Sequence, residues 1–154
     1  MLLRTNRGMT LIELLAVIVI LGIVASIAVV AVLHLIEKAR SQAFVSDAYA
    51  LYEAARIHGG AEKVEFLAHR SSELLTYKQL VEDGGLEPIE DPFTGNRLPE
   101  DGNSSYVLIK KDSNGQLDYF ICLKGETKQL CSYSETQKEI PVDKLSVTLI
   151  TNIK

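Results

Sequence analysis

Glu13 is the only charged side chain between Met9 and Leu33. A carboxylate within an apolar helix costs about 2.5–3.5 kcal/mol on membrane-insertion scales, so a functional role and a partner are expected for it. The bland alternative is a carboxylate near a helix end that reaches back to water. Two other residues can do covalent chemistry. Cys122 and Cys131 stand nine positions apart and can form a disulfide if they lie on neighbouring strands; otherwise they are two buried thiols. Oxygen ligands for calcium are available from Asp91, Asp101, Asp112, Asn114 and Asp118. They lack the tight alternation of a calcium loop, so solvated turn acids are the expectation, with no metal and no cofactor. The histidines at 34, 58 and 69 have no metal-ligand spacing. No Gly-rich phosphate loop and no Ser-His-Asp arrangement is evident, so nothing points to an enzyme. The tyrosines at 49, 52, 106, 119 and 133 read as packing residues.

The elements that must position Glu13 follow from the distribution of charge. The 154 residues suffice for one ordinary domain. From Leu14 to Leu33 no residue is charged and none is His. As a helix these residues span about 30 Å, the thickness of a bilayer's hydrocarbon core. Arg4 and Arg7 precede the run with no acid among them, which keeps the N-terminus cytoplasmic. From Glu37 onward 14 Lys and Arg face 19 Asp and Glu. This acidic part is placed outside, where a disulfide is permitted. Its bulk charge does not attract nucleic acid, and no direct nucleic-acid binding is expected.

Beyond the apolar run, Phe44, Ala48, Leu51 and Ala55 recur at helical spacing, with Val45 and Tyr52 flanking them and Asp47, Glu53 and Arg56 off the stripe. One helix is therefore expected from 9 to about 57, ended by His58-Gly59-Gly60. A short helix is possible over 61–68. Thr76-Tyr77-Lys78-Gln79 has the form of a capping box, with Gly84 and Gly85 stopping that helix and Leu86 packing back on it. Asp91-Pro92-Phe93-Thr94-Gly95-Asn96 reads as a tight turn. Two strand-like runs, 105–111 and 116–123, flank Asp112-Ser113-Asn114-Gly115, a hairpin signal. A second hairpin around Lys124-Gly125-Glu126, if symmetric, sets Cys122 opposite Cys131. Residues 145–150 form a further candidate strand.

The stretch Gly8-Met9-Thr10-Leu11-Ile12-Glu13-Leu14-Leu15, behind a basic leader and ahead of the apolar run, resembles the class III signal of type IV prepilins and pseudopilins. The resemblance implies cleavage between Gly8 and Met9 by a prepilin peptidase, N-methylation of Met9, and retention of the apolar helix, whereas an ordinary secretory signal loses its apolar segment. Gly8 has no side chain to obstruct the protease. The family implies a partner for Glu13 as well: the amino terminus of an adjacent subunit, an ion pair that sets register between helices. An assembly ATPase, a platform protein and sister pilins are the implied partners. Met9 stands where Phe is commonest in the family, and the Pro many filament-forming members carry in mid-helix is absent from Ile27-Ala28-Val29-Val30-Ala31.

The expected fold is α+β and pilin-like: a long N-terminal helix, membrane-spanning in its first half, packed on a small antiparallel sheet. The expected divisions are a leader (1–8), a membrane or filament-core helix (9–35) and an exported domain (36–154). The expected product is a single-pass precursor that matures into a cell-surface or periplasmic filament of the pilus, competence or secretion type, as a major or minor subunit. Its rivals are an uncleaved, membrane-anchored binding or sensor domain and an anchored enzyme.

Overall fold

The computed structural model describes residues 10–69 and 71–153. The chain divides into two compact units, one ending at Lys38 and one beginning at Ala39. Helix α1 (Leu11–His69) contributes to both. Over Leu11–His58 it is long and apolar enough to cross a membrane. Its side chains up to Arg40 are exposed in the single chain.

In the second unit, α1 buries Phe44, Ala48, Leu51, Ala54 and Ala55, the stripe that helical periodicity picks out plus one neighbour. The glycine pair does not end α1, which continues to His69 and absorbs the short helix expected over 61–68. Each glycine costs only about 1 kcal/mol relative to Ala inside a helix, and good helix formers follow it.

Six strands complete the unit: β1 (Ser72–Thr76), β2 (Tyr106–Lys111), β3 (Leu117–Lys124), β4 (Lys128–Leu130), β5 (Ile140–Pro141) and β6 (Thr151–Asn152). They run in the order β1-β2-β3-β4-β6, with β5 also pairing β3. All the strand pairs are antiparallel. Leu75, Val107, Ile121 and Ile140 align across the sheet and are buried, while Leu74, Leu108, Phe120 and Pro141 occupy the other face, as a period of two requires. Edge-to-face contacts join α1 to its surroundings: Phe44 with Phe93 at 5.6 Å and Tyr52 with Tyr119 at 5.1 Å between ring centroids.

Short helix α2 (Tyr77–Glu82) starts at the expected capping box. Gln79 N donates to Thr76 Oγ1 (3.3 Å) and Thr76 N to Gln79 Oε1 (2.9 Å). Gly84, at φ +71°, ends it, and Leu86 N returns to Leu80 O at 3.0 Å while Leu86 is buried. The strand expected over 145–150 is not formed. Two 3-10 turns, Val142–Lys144 and Val147–Leu149, occupy that stretch, and the chain becomes extended in β6 only at Thr151. Ser146 favours the turn by accepting from Thr148 N through its side chain, and Leu145, Leu149 and Ile150 pack on the core from it.

Candidate functional site

The site begins at the first turn of α1. Thr10 N and Thr10 Oγ1 donate to Glu13 Oε2 at 2.8 and 2.9 Å, and Glu13 N donates to Thr10 Oγ1 at 3.4 Å. This is a reciprocal capping box, and its Thr-x-x-Glu spacing was legible in the sequence. The box satisfies donors at the helix N-terminus, favours negative charge there and aims the carboxylate toward the start of the chain. Gly8 and Met9 lie outside the described residues. Farther along, Ser26 Oγ donates to Gly22 O at 2.8 Å, so a hydroxyl in the apolar segment needs no outside partner. The apolar side chains between Leu11 and Ile36 stay exposed in the single chain; Ile27 and Val30 keep 71% and 70% of their surface.

The exported unit closes on itself. Cys122 and Cys131 form a disulfide, their Cα atoms 4.1 Å apart. Leu123 pairs with Leu130 and Lys124 with Gln129, the register that sets Cys122 against Cys131. The turn between these strands rests on Asp91, whose side chain is fully buried. Asp91 Oδ1 accepts from Phe93 N at 2.8 Å and Oδ2 from Glu126 N at 2.7 Å. A Cβ on Gly125 would stand 2.5 Å from Asp91 Oδ2, so glycine lets the turn seat on the carboxylate.

The five oxygen-bearing residues weighed for calcium do not form one cluster. Asp101 takes Lys78 Nζ at 2.6 Å. Asp112 Oδ1 accepts from Asn114 N and Gln116 N at 2.9 and 2.7 Å, while the Asn114 side chain turns back to Asp112 Oδ2 at 3.4 Å. Asp118 is exposed on β3 opposite Lys110. No three His, Cys, Asp or Glu among the described residues are grouped to hold a metal.

Asp47 departs from the sequence expectation. It stands off the core stripe by period but is half-buried, and its Oδ2 has no hydrogen-bond partner. Burial, and then the Asp91 charge, push its carboxyl up to about 6. Its position one turn from Phe44 and from Leu51 was the available signal.

Residues 3–29 match the family model of the prokaryotic N-terminal methylation motif. The chain is 33% identical over 126 residues to type II secretion system core protein G of Klebsiella pneumoniae, covering 76% of this chain and 84% of the relative. It is 36% identical over 122 residues to the protein of the same name from Pectobacterium carotovorum subsp. carotovorum, covering 75% of this chain and 74% of that one. No solved structure matches it closely.

Proposed function

The chain belongs to the type II secretion system core protein G family, and we propose that it is the processed, structural subunit of a secretion-type filament whose core is made of bundled α1 helices. One observation carries this reading: the apolar side chains of α1 up to Ile36 are exposed among the described residues. Lipid covers them in the membrane-anchored precursor, and sister helices replace the lipid in the filament. Association without a hydrophobic gain over lipid then depends on close packing and on polar contacts at fixed positions.

In this reading Arg4 and Arg7 hold the leader at the cytoplasmic face. A prepilin peptidase cuts between Gly8 and Met9, and the new amino terminus is methylated. Glu13 accepts that ammonium from an adjacent subunit, which neutralises the one acid of the apolar segment and sets helix register. The Thr10–Glu13 box supports the role by holding the carboxylate at the N-terminal end of α1. An assembly ATPase, a platform protein and other pilins are the partners of such a subunit, and its own task is structural, with no cofactor.

Intact mass and N-terminal sequencing of the protein from its native host test this. A chain starting at Met9 and heavier by one methyl group is expected. A chain that keeps residues 1–8 where a prepilin peptidase is active sinks the reading in favour of an uncleaved anchored sensor.

A further inference from the structure

Among the described residues, Asp47 Oδ2 is the buried side-chain oxygen left without a hydrogen-bond partner. A carboxylate in that state is costly unless it takes up a proton or reaches water. Asp91 makes its ionisation harder still. Asp91 is fully buried, its charge acts on Asp47, and Phe93 N and Glu126 N hold its two oxygens in place. Other charges nearby are already engaged. Glu53 pairs with Arg56 at 2.7 Å and Lys78 with Asp101 at 2.6 Å, and Lys128 Nζ lies 5.7 Å from the centre of the Phe93 ring. Arg97 and Glu100 act on Tyr77 of α2, as does Asp47.

Residues 85–90 run along α1 beside Asp47, with a cleft of about 490 Å³ between them. Ala50 and Ile57 line it from α1, Glu87 and Glu90 from the segment, and among the described residues no basic side chain lines it. The segment is held lightly. From Gly85 to Ile89 it is neither helix nor strand. Leu86 N donates to Leu80 O at 3.0 Å and Ile89 N to Tyr77 Oη at 2.9 Å. Leu86 and Ile89 are buried, while Glu87 and Glu90 are exposed. Helix α1, by contrast, is fixed here by the fully buried Phe44, Ala48 and Leu51. When Asp47 needs water, the segment yields before the helix does.

We propose that residues 85–90 are an acid-closed strap, seated against α1 while Asp47 is protonated and swung away to admit water when Asp47 ionises. Gly84, at φ +71°, and Gly85 supply the hinge at one end, and the anchored Asp91 ends the moving stretch at the other. The sign follows from the two environments of the carboxyl. With the strap seated it titrates near 6, burial being the larger cause and the Asp91 charge the smaller. In contact with water it returns toward about 3.9. The seated state holds the proton more tightly, so acid favours it and rising pH releases it. One other contact of this region tightens in acid. His58 Nδ1 stands 3.3 Å from Asp83 Oδ2 and joins α1 to the end of α2, an ion pair only when the imidazole is protonated.

Amide hydrogen exchange of the full chain in detergent, with each rate referred to the intrinsic rate at its pH, reads the strap directly. Leu86 and Ile89 are expected to exchange well before the amides of β2 and β3, which open only with the whole unit. Their protection is expected to fall by about fivefold between pH 4.5 and pH 7.5. Asp47→Asn holds the acid-level protection at both pH values, and Asp47→Ser, smaller and equally uncharged, also removes the pH dependence. Asp83→Asn takes away the acid partner of His58 and leaves the dependence in place. Four outcomes overturn the strap: protection that does not change with pH, a dependence that survives both Asp47 variants, a dependence that disappears in Asp83→Asn, or exchange of Leu86 and Ile89 only together with β2 and β3. None of these readouts depends on filament formation.

Discussion

The two units of this chain handle polar and apolar groups in opposite ways. From Ala39 onward, buried groups other than Asp47 Oδ2 are answered internally: Asp91 receives two backbone N–H groups, Tyr77 Oη accepts from Ile89 N at 2.9 Å, and Cys122 is bonded to Cys131. From Leu11 to Lys38 apolar side chains stay exposed, and among the described residues Glu13 is answered by Thr10 of its own first turn. A protein that folded only for itself has no use for the second pattern, since exposed apolar surface on this scale marks an interaction site. The first unit is a surface awaiting its surroundings, and the second is a folded body that carries its own stability. Substitutions should therefore sort by unit, with assembly lost and stability kept in one and the reverse in the other.

The sharpest separation is expected at Glu13. Glu13→Gln leaves the exported unit untouched and removes the charge that the neighbouring amino terminus requires. Filaments are expected to disappear, a loss of tenfold or more, while leader cleavage and the melting temperature of the solubilised subunit stay at wild-type values. Filaments counted by electron microscopy at wild-type numbers would remove Glu13 from the assembly contact.

The disulfide supplies the reverse case. Replacing Cys122 and Cys131 by Ser opens a short loop and is expected to cost about 2–4 kcal/mol, lowering the melting temperature by roughly 10 °C. Unfolded subunit is then degraded and filament yield falls in proportion to subunit level. Circular dichroism melts of oxidised and reduced wild type give the same comparison without mutation. Overlapping melts would show that the sheet holds this corner without the bridge.

What the sequence disclosed follows the same division. Patterns with few physical solutions were readable: the span of Leu14–Leu33 and the capping box at Thr76 and Gln79; the register that sets Cys122 against Cys131 was readable only on the condition of a symmetric hairpin, which the structure forms. Elements decided by tertiary partners were not. β1 is five residues, Ser-Glu-Leu-Leu-Thr, with no turn signal ahead of it, and pairing with β2 makes it a strand. The stretch from Val142 to Leu149 contains strand-forming residues, yet it turns because Ser146 hydrogen-bonds locally and its neighbours reach the core from a turn. Gly59-Gly60 read as a stop, but helix propensity is a weak prior beside a helix already nucleated upstream. At the site, Glu13 was visible because a lone charge in an apolar run has few explanations. Its Thr10 partner had the Thr-x-x-Glu spacing as its signal, whereas the burial of Asp47 depends on what packs beside it.

Asp47 offers the smallest effect and the one that crosses the division. Its carboxyl titrates near 6 in the folded chain against about 3.9 in an unfolded one. Between those values the folded state holds a proton that the unfolded state releases, so stability falls as pH rises through the window and is fully recovered below it. The whole shift corresponds to about 3 kcal/mol; because the group is only half-buried, solvent screening reduces this to about 1 kcal/mol. Asp47→Asn removes the titration. The variant is expected to melt a few degrees above the wild type at pH 7.5 and level with it near pH 4, measured on the full chain in detergent. If the variant instead melts lower at pH 7.5, the carboxylate has a partner within its own subunit, and Asp47 joins the internally answered groups of its unit.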